Sequence, residues 1–450
     1  MLRQRFRHAA AVIAIAALGS GSVWSRPREM SVLVITLDTT RADHLSPYGY
    51  TDAPMPSLER LAREATVFNQ AVSVSPLTLP AHTSLFTGLL PPRHGVRDNA
   101  DRPLAETYTT LAEVARGQGF RTAAFVGSAV LDRERGLAQG FDVYSDVGRD
   151  DRRLGSEPQR TAAQVVDQAV KWLASERPAR FFLWTHLYDP HHPYDPPEPF
   201  RANTRDAYVG ELAFAESQIG RLLDVLDASG RRDDTIVVVV GDHGESLNEH
   251  GEEHHGIYLY ESVLRVPLMI RMPTMPARRV SEVVRITDVM PTVLALAGIA
   301  FPTADGVSLV DLMTGRHHGL DLEAYAESLY PQRFGWSPLY ALRDSRYKFI
   351  DAPKPELYDL VRDPFEERNI VAERPTIAAA MKRRLDAIAS TTPSEVHHAS
   401  AASSPETRQR LISLGYVTGP RASAPTGGRL PDPKDCLPPL GRPVPGRCAQ

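Results

Sequence analysis

The stretch TIVVVVGD, Thr235–Asp242, restricts the fold more than any other part of the chain. Its apolar residues do not alternate with polar ones, so both faces of the segment must be covered. That is the pattern of a strand buried inside a parallel sheet. SVLVITLD (Ser31–Asp38), TAAFVG (Thr122–Gly127), FFLWTHL (Phe181–Leu187) and VPLMIRM (Val266–Met272) read the same way. Helical periodicity fills the intervals, over Pro56–Ala65, Leu111–Gly117, Thr161–Ser175, Tyr208–Ala228 and Asp288–Ala297. Strands and helices in alternation predict an α/β fold, a large mixed and mostly parallel sheet flanked by helices. In such sheets chemistry gathers beyond the carboxyl ends of the strands. Asp38, the His186–His192 stretch and Asp242-His243 all lie at such ends.

From about residue 320 the texture changes. EAYAESLY and LYALRDSRYKFID read as strands, and Thr376–Ala389 as a helix, predicting a small C-terminal α+β subdomain. Residues 419–450 hold eight prolines in 32 residues with no apolar period, which reads as a disordered tail. The N-terminus carries Arg3, Arg5 and Arg7, then an apolar run of eleven residues from Ala9 to Gly19. A membrane span needs about 20 apolar residues, so this segment reads as an export signal. The expected division is a signal peptide over 1–24, a catalytic domain over 30–320, a C-terminal subdomain over 321–417 and a tail over 418–450. The expected location is periplasmic or secreted, with tethering to the membrane if the signal stays uncleaved. Both cysteines, Cys436 and Cys448, fall in the tail, so the body needs neither a disulfide nor thiol chemistry. A net charge of −4 argues against nucleic acid as the partner.

Candidate chemistry sits in four places. Asp242-His243-Gly244 ends a buried strand with an acid and an imidazole, which suits a divalent cation, and equally suits a turn. THLYDPHHPYDPP (Thr185–Pro197) crowds His186, Asp189, His191, His192 and Asp195 into a proline-stiffened loop. HGEEHHG (His250–Gly256) misplaces the glutamate of the H-E-x-x-H protease motif, but leaves His255 as an acid or cation near the site. SPLTLPAHTSLFTG (Ser75–Gly88) is a loop turning into a helix, with Thr78 at the turn and His82 one turn later. The chain has no G-x-S-x-G elbow, no Walker A loop, no G-x-G-x-x-G after a strand and no paired CxxC.

Seven segments in order, VITLDTTRADHLSPYGY, PLTLPAHTSLFTGLLPPRHGVRDN, DPHHPY, VVVGDHGESLNEHG, YESVLRVPLMIR, ITDVMPTVLALAGI and LYDLVRDPFEERNI, resemble the sulfatase family of the alkaline-phosphatase-like superfamily. The resemblance runs over roughly residues 31 to 417. It implies metal ligands at Asp38, Asp242 and His243, a nucleophile at Thr78, and a substrate histidine at His191. It also implies a cationic or acid residue at His255 and a substrate contact at Asn99, as in the phosphonate monoester hydrolase branch.

The departures are equally specific. Thr78 stands where the family carries the Cys or Ser that matures to formylglycine, His82 where it carries arginine, and Thr39 where it carries a second acid. Val126 and Ser128 replace a Lys and a His. The resemblance therefore implies a divalent metal (Ca, Mg, Mn or Zn) and no formylglycine.

The expected reaction is hydrolysis of an anionic ester of a small molecule, glycan or lipid. Phosphate and phosphonate are favoured and sulfate stays open. Thr78 is nucleophile and further metal ligand, His191 and His255 assist, and His82 and Asn99 hold the non-bridging oxygens. A second cation on Asp189, His191 and His255 is a further option. Two alternatives stand beside this: an envelope phosphotransferase of the lipoteichoic-acid or phosphoethanolamine transferase type, and a non-catalytic member that binds an anionic glycan or lipid.

Overall fold

The computed structural model describes residues 29–100, 102–147, 159–316, 319–391 and 430–437. The signal segment 1–24 lies outside them, as does most of the tail.

Eight strands form the main sheet: β1 (Ser31–Leu37), β2 (Thr66–Val72), β3 (Arg121–Val126), β4 (Val143–Ser145), β5 (Phe181–Leu187), β6 (Thr235–Gly241), β7 (Arg265–Arg271) and β8 (Arg278–Arg285). Their order is β4-β3-β5-β1-β6-β7-β2-β8. β1 runs parallel to both β5 and β6, while β7 is antiparallel to β6 and β2. The expected mixed, mostly parallel sheet is what forms. Every residue of β1, β5 and β6 is buried, because helices cover both faces of the sheet. One apolar cluster lies on each side, the first built around Phe86, Trp184 and Val240, the second around Trp172, Tyr208 and Leu222.

The helices predicted from periodicity form with small changes at their ends: Pro56–Ala62, Leu111–Gly117, Ala162–Glu176, Ala207–Ala228 and Val289–Leu296. Capping boxes at Thr110/Glu113 and Thr161/Gln164 fix two of the starts. β2, β4 and β8 carry no continuous apolar run, and sequence reading passes over them. β8 shows the reason: it is an edge strand whose outer positions Arg278, Arg279 and Ser281 are exposed.

A second, antiparallel sheet follows, ordered β12-β11-β10-β9 from β9 (Ala324–Ser328), β10 (Leu339–Arg343), β11 (Tyr347–Asp351) and β12 (Glu356–Asp359). The Pro375–Ala389 helix covers one face through Ala378, Met381 and Leu385. The other face meets Tyr258, Tyr260 and Leu264 near the main sheet. The expectation of a disordered tail fails for residues 430–437. Asp432 starts a short helix, Pro433–Cys436, and its carboxylate also accepts the Lys354 N–H at 2.9 Å. Cys436 is fully buried and disulfide-bonded. Among the described residues no helix is long and apolar enough to cross a membrane.

Candidate active site

The site begins where β1 and β6 end side by side. Leu37 is in register with Gly241, so the next residues, Asp38 and Asp242, emerge together at the carboxyl edge of the sheet. The Asp38 N–H donates to the Leu187 carbonyl and the Asp242 N–H to the Leu37 carbonyl, which ties three strand ends into one rigid rim. Both carboxylates are fully buried. Asp242 Oδ1 accepts the N–H groups of Thr39 at 3.2 Å and His243 at 2.7 Å. Among the described residues Asp242 Oδ2 and both oxygens of Asp38 have no hydrogen-bond partner. Burial pushes both acids above the usual carboxylate range, and the charge of Asp38 adds to the rise at Asp242. Two buried carboxylates this close, with three of their four oxygens lacking a hydrogen-bond partner among the described residues, are costly unless a cation joins them.

The remaining donors fit such a cation. His243 Nε2 lies 3.7 Å from Asp38 Oδ1 and 3.6 Å from Asp242 Oδ2. Its Nδ1 contacts the Gly244 carbonyl at 3.0 Å. A carbonyl only accepts, so Nδ1 carries the proton and Nε2 presents a bare lone pair. Asp38, Asp242 and His243 thus offer three ligand atoms within 4.8 Å of one another. Thr39 sits at the pivot with φ of 45°, a left-handed conformation that is an outlier for a β-branched residue. That strain aims the Thr39 N–H at Asp242.

Thr78 is the first residue of the Thr78–Thr87 helix, and its hydroxyl lies 3.4 Å from His243 Nε2. Pro80 is tolerated because the first turn has spare N–H groups, and Gly88 ends the helix at φ 68°. Asn99 clamps the helix start, its Oδ1 accepting the Leu79 N–H at 2.8 Å. The Asn99 Nδ2 is buried and has no partner among the described residues, so it is a spare donor beside Thr78.

His82 departs from expectation. Placed on the substrate oxygens by sequence reading, it is fully buried and turned toward the sheet. Trp184 Nε1–H donates to Thr36 Oγ1 at 3.0 Å, and Thr36 Oγ1 lies 3.0 Å from His82 Nε2. His82 Nδ1 meets the Thr78 carbonyl at 2.8 Å. Trp only donates and a carbonyl only accepts, so the chain runs one way: Trp184 to Thr36 to His82 to Thr78. Burial lowers the His82 pKa to about 3, consistent with a neutral ring. Both nitrogens are occupied, so the ring ties the Thr78 carbonyl to Thr36 of β1.

Above this floor stand His191 and His255, both half-buried. His191 Nδ1 faces the His192 carbonyl at 2.6 Å and His255 Nδ1 the Pro76 carbonyl at 2.9 Å. Both Nδ1 atoms therefore donate, and the two Nε2 atoms meet at 3.2 Å. That contact is a hydrogen bond only when one of the pair carries a second proton; burial lowers both pKa values, that of His191 to about 4, which favours two neutral rings able to take up a proton passed to the pair. Tyr194, whose hydroxyl donates to Glu245 at 2.9 Å, ties the loop of His191 to the loop of His255.

The expected second cation set does not assemble. Asp189 is half-buried and engaged elsewhere, its carboxylate accepting the Ala162 N–H at 2.6 Å at the start of the Ala162–Glu176 helix. Sequence reading gave His186 no role, although it lies at a strand end beside Asp38. Its Nε2 is 3.4 Å from Asp38 Oδ2.

Comparison with known proteins follows the same lines. A family model described as Sulfatase matches residues 31–299, and one described as N-sulphoglucosamine sulphohydrolase, C-terminal, matches residues 249–391. A choline-sulfatase of Rhizobium meliloti (strain 1021) is 29% identical over 437 residues, covering 77% of this chain and 83% of its own. An ulvan-active sulfatase of Formosa agariphila is 26% identical over 402 residues, covering 77% and 78%. Among solved structures, the phosphonate monoester hydrolase of Agrobacterium radiobacter superposes with a TM-score of 0.70 at 21% identity, covering 80% of this chain and 95% of that one.

Proposed function

This chain belongs to the sulfatase family of hydrolases acting on sulfate or phosphate esters, and from that premise we propose that it cleaves phosphate or phosphonate esters through a covalent intermediate on Thr78. The observation that carries the reading is the threonine hydroxyl at a helix start, 3.4 Å from His243 Nε2 and beside two buried carboxylates with three oxygens that have no hydrogen-bond partner among the described residues. Asp38, Asp242 and His243 would hold a divalent cation, with Thr78 Oγ as a further ligand. Such an ion supplies charge neutralisation and a lowered hydroxyl pKa.

The residues do the rest. The helix N-terminus directs positive potential at the anionic centre. His82 and Asn99 fix the first turn, so Thr78 Oγ is held in place for in-line attack. As the Thr78 Oγ–P bond forms, the hydroxyl proton passes to the His191–His255 pair, and the pair gives it to the leaving oxygen as that oxygen's bond to phosphorus breaks. Water then gives a proton to the pair as it attacks phosphorus, and the pair returns that proton to Thr78 Oγ as it leaves. The Asn99 Nδ2–H is the spare donor for a non-bridging oxygen.

Charge narrows the substrate class. The groups that meet at Thr78 are two carboxylates and neutral imidazoles, which a divalent cation brings to zero. A singly charged ester suits that balance better than a dianionic phosphate monoester. Phosphodiesters and phosphonate monoesters are therefore the favoured substrates. The sequence of residues 1–24 supports export, which the N-terminal mass of the mature protein tests.

The experiment is steady-state turnover of 4-nitrophenyl sulfate, phosphate, phenylphosphonate and bis-phosphate across a metal panel. Diester or phosphonate turnover that is metal-dependent and absent in Thr78→Ala is the expected result. Preference for the sulfate overturns the substrate assignment, and turnover that survives in Thr78→Ala overturns the nucleophile.

A further inference from the structure

The end of β5 beside Asp38 holds an imidazole that this reaction leaves unused. His186, near the end of β5, is in register with Thr36 of β1 and Val126 of β3 and is fully buried. Among the described residues neither of its ring nitrogens has a hydrogen-bond partner. Buried polar atoms are rarely left so, because nothing repays the water they lost. The Nε2 lies 3.4 Å from Asp38 Oδ2, and that oxygen also lacks a hydrogen-bond partner among the described residues. His186, His82 and Asp242 offer ligand atoms within 4.8 Å of one another, a second group that shares Asp242 with the set of Asp38, Asp242 and His243. Of these, His82 is already saturated by Thr36 and the Thr78 carbonyl. His186 is the one imidazole on this side of the carboxylates with its nitrogens still open.

We propose that His186 is a ligand of the site's divalent cation, making the donor set two carboxylates and two imidazoles. The inference rests on the metal-dependent reading above and names the class of ion. Calcium and magnesium take oxygen ligands, whereas imidazole suits first-row cations, zinc foremost. Ligand atoms on a four-coordinate zinc lie roughly 3.3–3.4 Å apart, given bonds of about 2.0–2.1 Å. His186 Nε2 lies 3.4 Å from Asp38 Oδ2, and His243 Nε2 lies 3.7 Å from Asp38 Oδ1 and 3.6 Å from Asp242 Oδ2, so Asp38 offers one oxygen toward each imidazole at separations near that value. The loss of the family's second acid at Thr39 takes away a hard oxygen donor, and His186 adds a nitrogen in its place.

The test uses tag-free protein stripped with chelator and titrated with Zn2+, Mn2+, Ca2+ and Mg2+. The visible absorption of the Co2+-loaded form is recorded in parallel, and circular dichroism checks the fold. Wild type should prefer Zn2+ to Ca2+ by at least about 100-fold. His186→Ala should lose at least about 10- to 100-fold in Zn2+ affinity and change the Co2+ spectrum. His186→Asp, which keeps a ligating atom but swaps nitrogen for oxygen, should recover affinity and shift preference toward Mn2+ and Mg2+. If the alanine variant does not fold, His186→Gln, which fills similar space, carries the comparison. Wild type that binds Zn2+ with no dependence on His186, or that prefers Ca2+, overturns this inference alone. Wild type that binds none of the four cations overturns the metal-dependent reading with it.

Discussion

The floor of the site and its mouth are built on opposite terms. Asp38, Thr78, His82, His186, Asp242 and His243 have 0% exposure and sit on strand ends or a helix start. His191, His192, His254 and His255 are half-buried and borne by loops, where imidazole meets imidazole: His192 and His254 have ring centroids 4.2 Å apart. The floor's groups are held by the strands and helix that carry them, which fix a geometry tightly. The mouth's groups sit on loops, and the Nε2 atoms of His191 and His255 face each other at 3.2 Å, which lets them trade a proton. A rigid floor suits a cation and a nucleophile, and an adaptable mouth suits proton transfer and substrate choice.

Breaking the floor should cost most. Thr78→Ala should lower turnover by about 10⁴-fold or more with no change in melting temperature. In wild type, acid quenching during turnover and peptide mapping should find the phosphoryl group on the Thr78 peptide. Asp242→Asn should lower turnover by about 10³-fold, and adding cation should rescue chelated wild type but not the variant. Asp242 Oδ2 has no hydrogen-bond partner among the described residues and would be the ligand atom, while Oδ1 serves the backbone, so the amide should retain one role and lose the other.

Breaking the mouth should cost less and depend on the leaving group. His255→Ala should cut kcat/KM about 10²-fold for an alkyl ester, whose leaving oxygen needs a proton. For 4-nitrophenyl esters the loss should stay under about 10-fold, since that leaving group departs as an anion. Equal losses for both would place His255 in substrate binding and not in proton transfer.

His82 sharpens the comparison, because it belongs to the floor but touches no reacting atom. His82→Ala should lower kcat about 10- to 100-fold through the freed helix start and destabilise the fold by about 2 kcal/mol, with KM little changed. A large rise in KM with kcat intact would return His82 to the substrate.

The smallest effect is on stability and belongs to the mouth loop. Glu252 is buried and accepts the Ile257 N–H at 2.7 Å, and burial pushes its pKa up to about 8. A folded pKa above the unfolded one of about 4.5 gives stability that is fully present below the unfolded pKa and declines as pH rises toward 8. Glu252→Gln, which keeps an acceptor and has no charge to bury, should flatten the melting temperature between pH 5 and pH 8, measured against wild type.

Much of this architecture could be read along the chain. Asp38 and Asp242 were legible because an acid that ends a run of buried apolar residues has one place to go, the open edge of a parallel sheet. His82 was misread because its role depends on the roll of the Thr78–Thr87 helix against β1, which the packing of Phe86 and Trp184 sets. Asp189 was placed near His191 on proximity in sequence, yet it serves a helix start across the loop.

Fold class, family, five of the eight main-sheet strands and the strand-end acids could be read from the chain alone, because apolar periodicity and local order are properties of the chain. Only the tertiary structure decided which way each imidazole faces. A histidine nitrogen takes its role from the partner across from it, and those partners lie far away in sequence: Thr36 for His82, Pro76 for His255, Asp38 for His186.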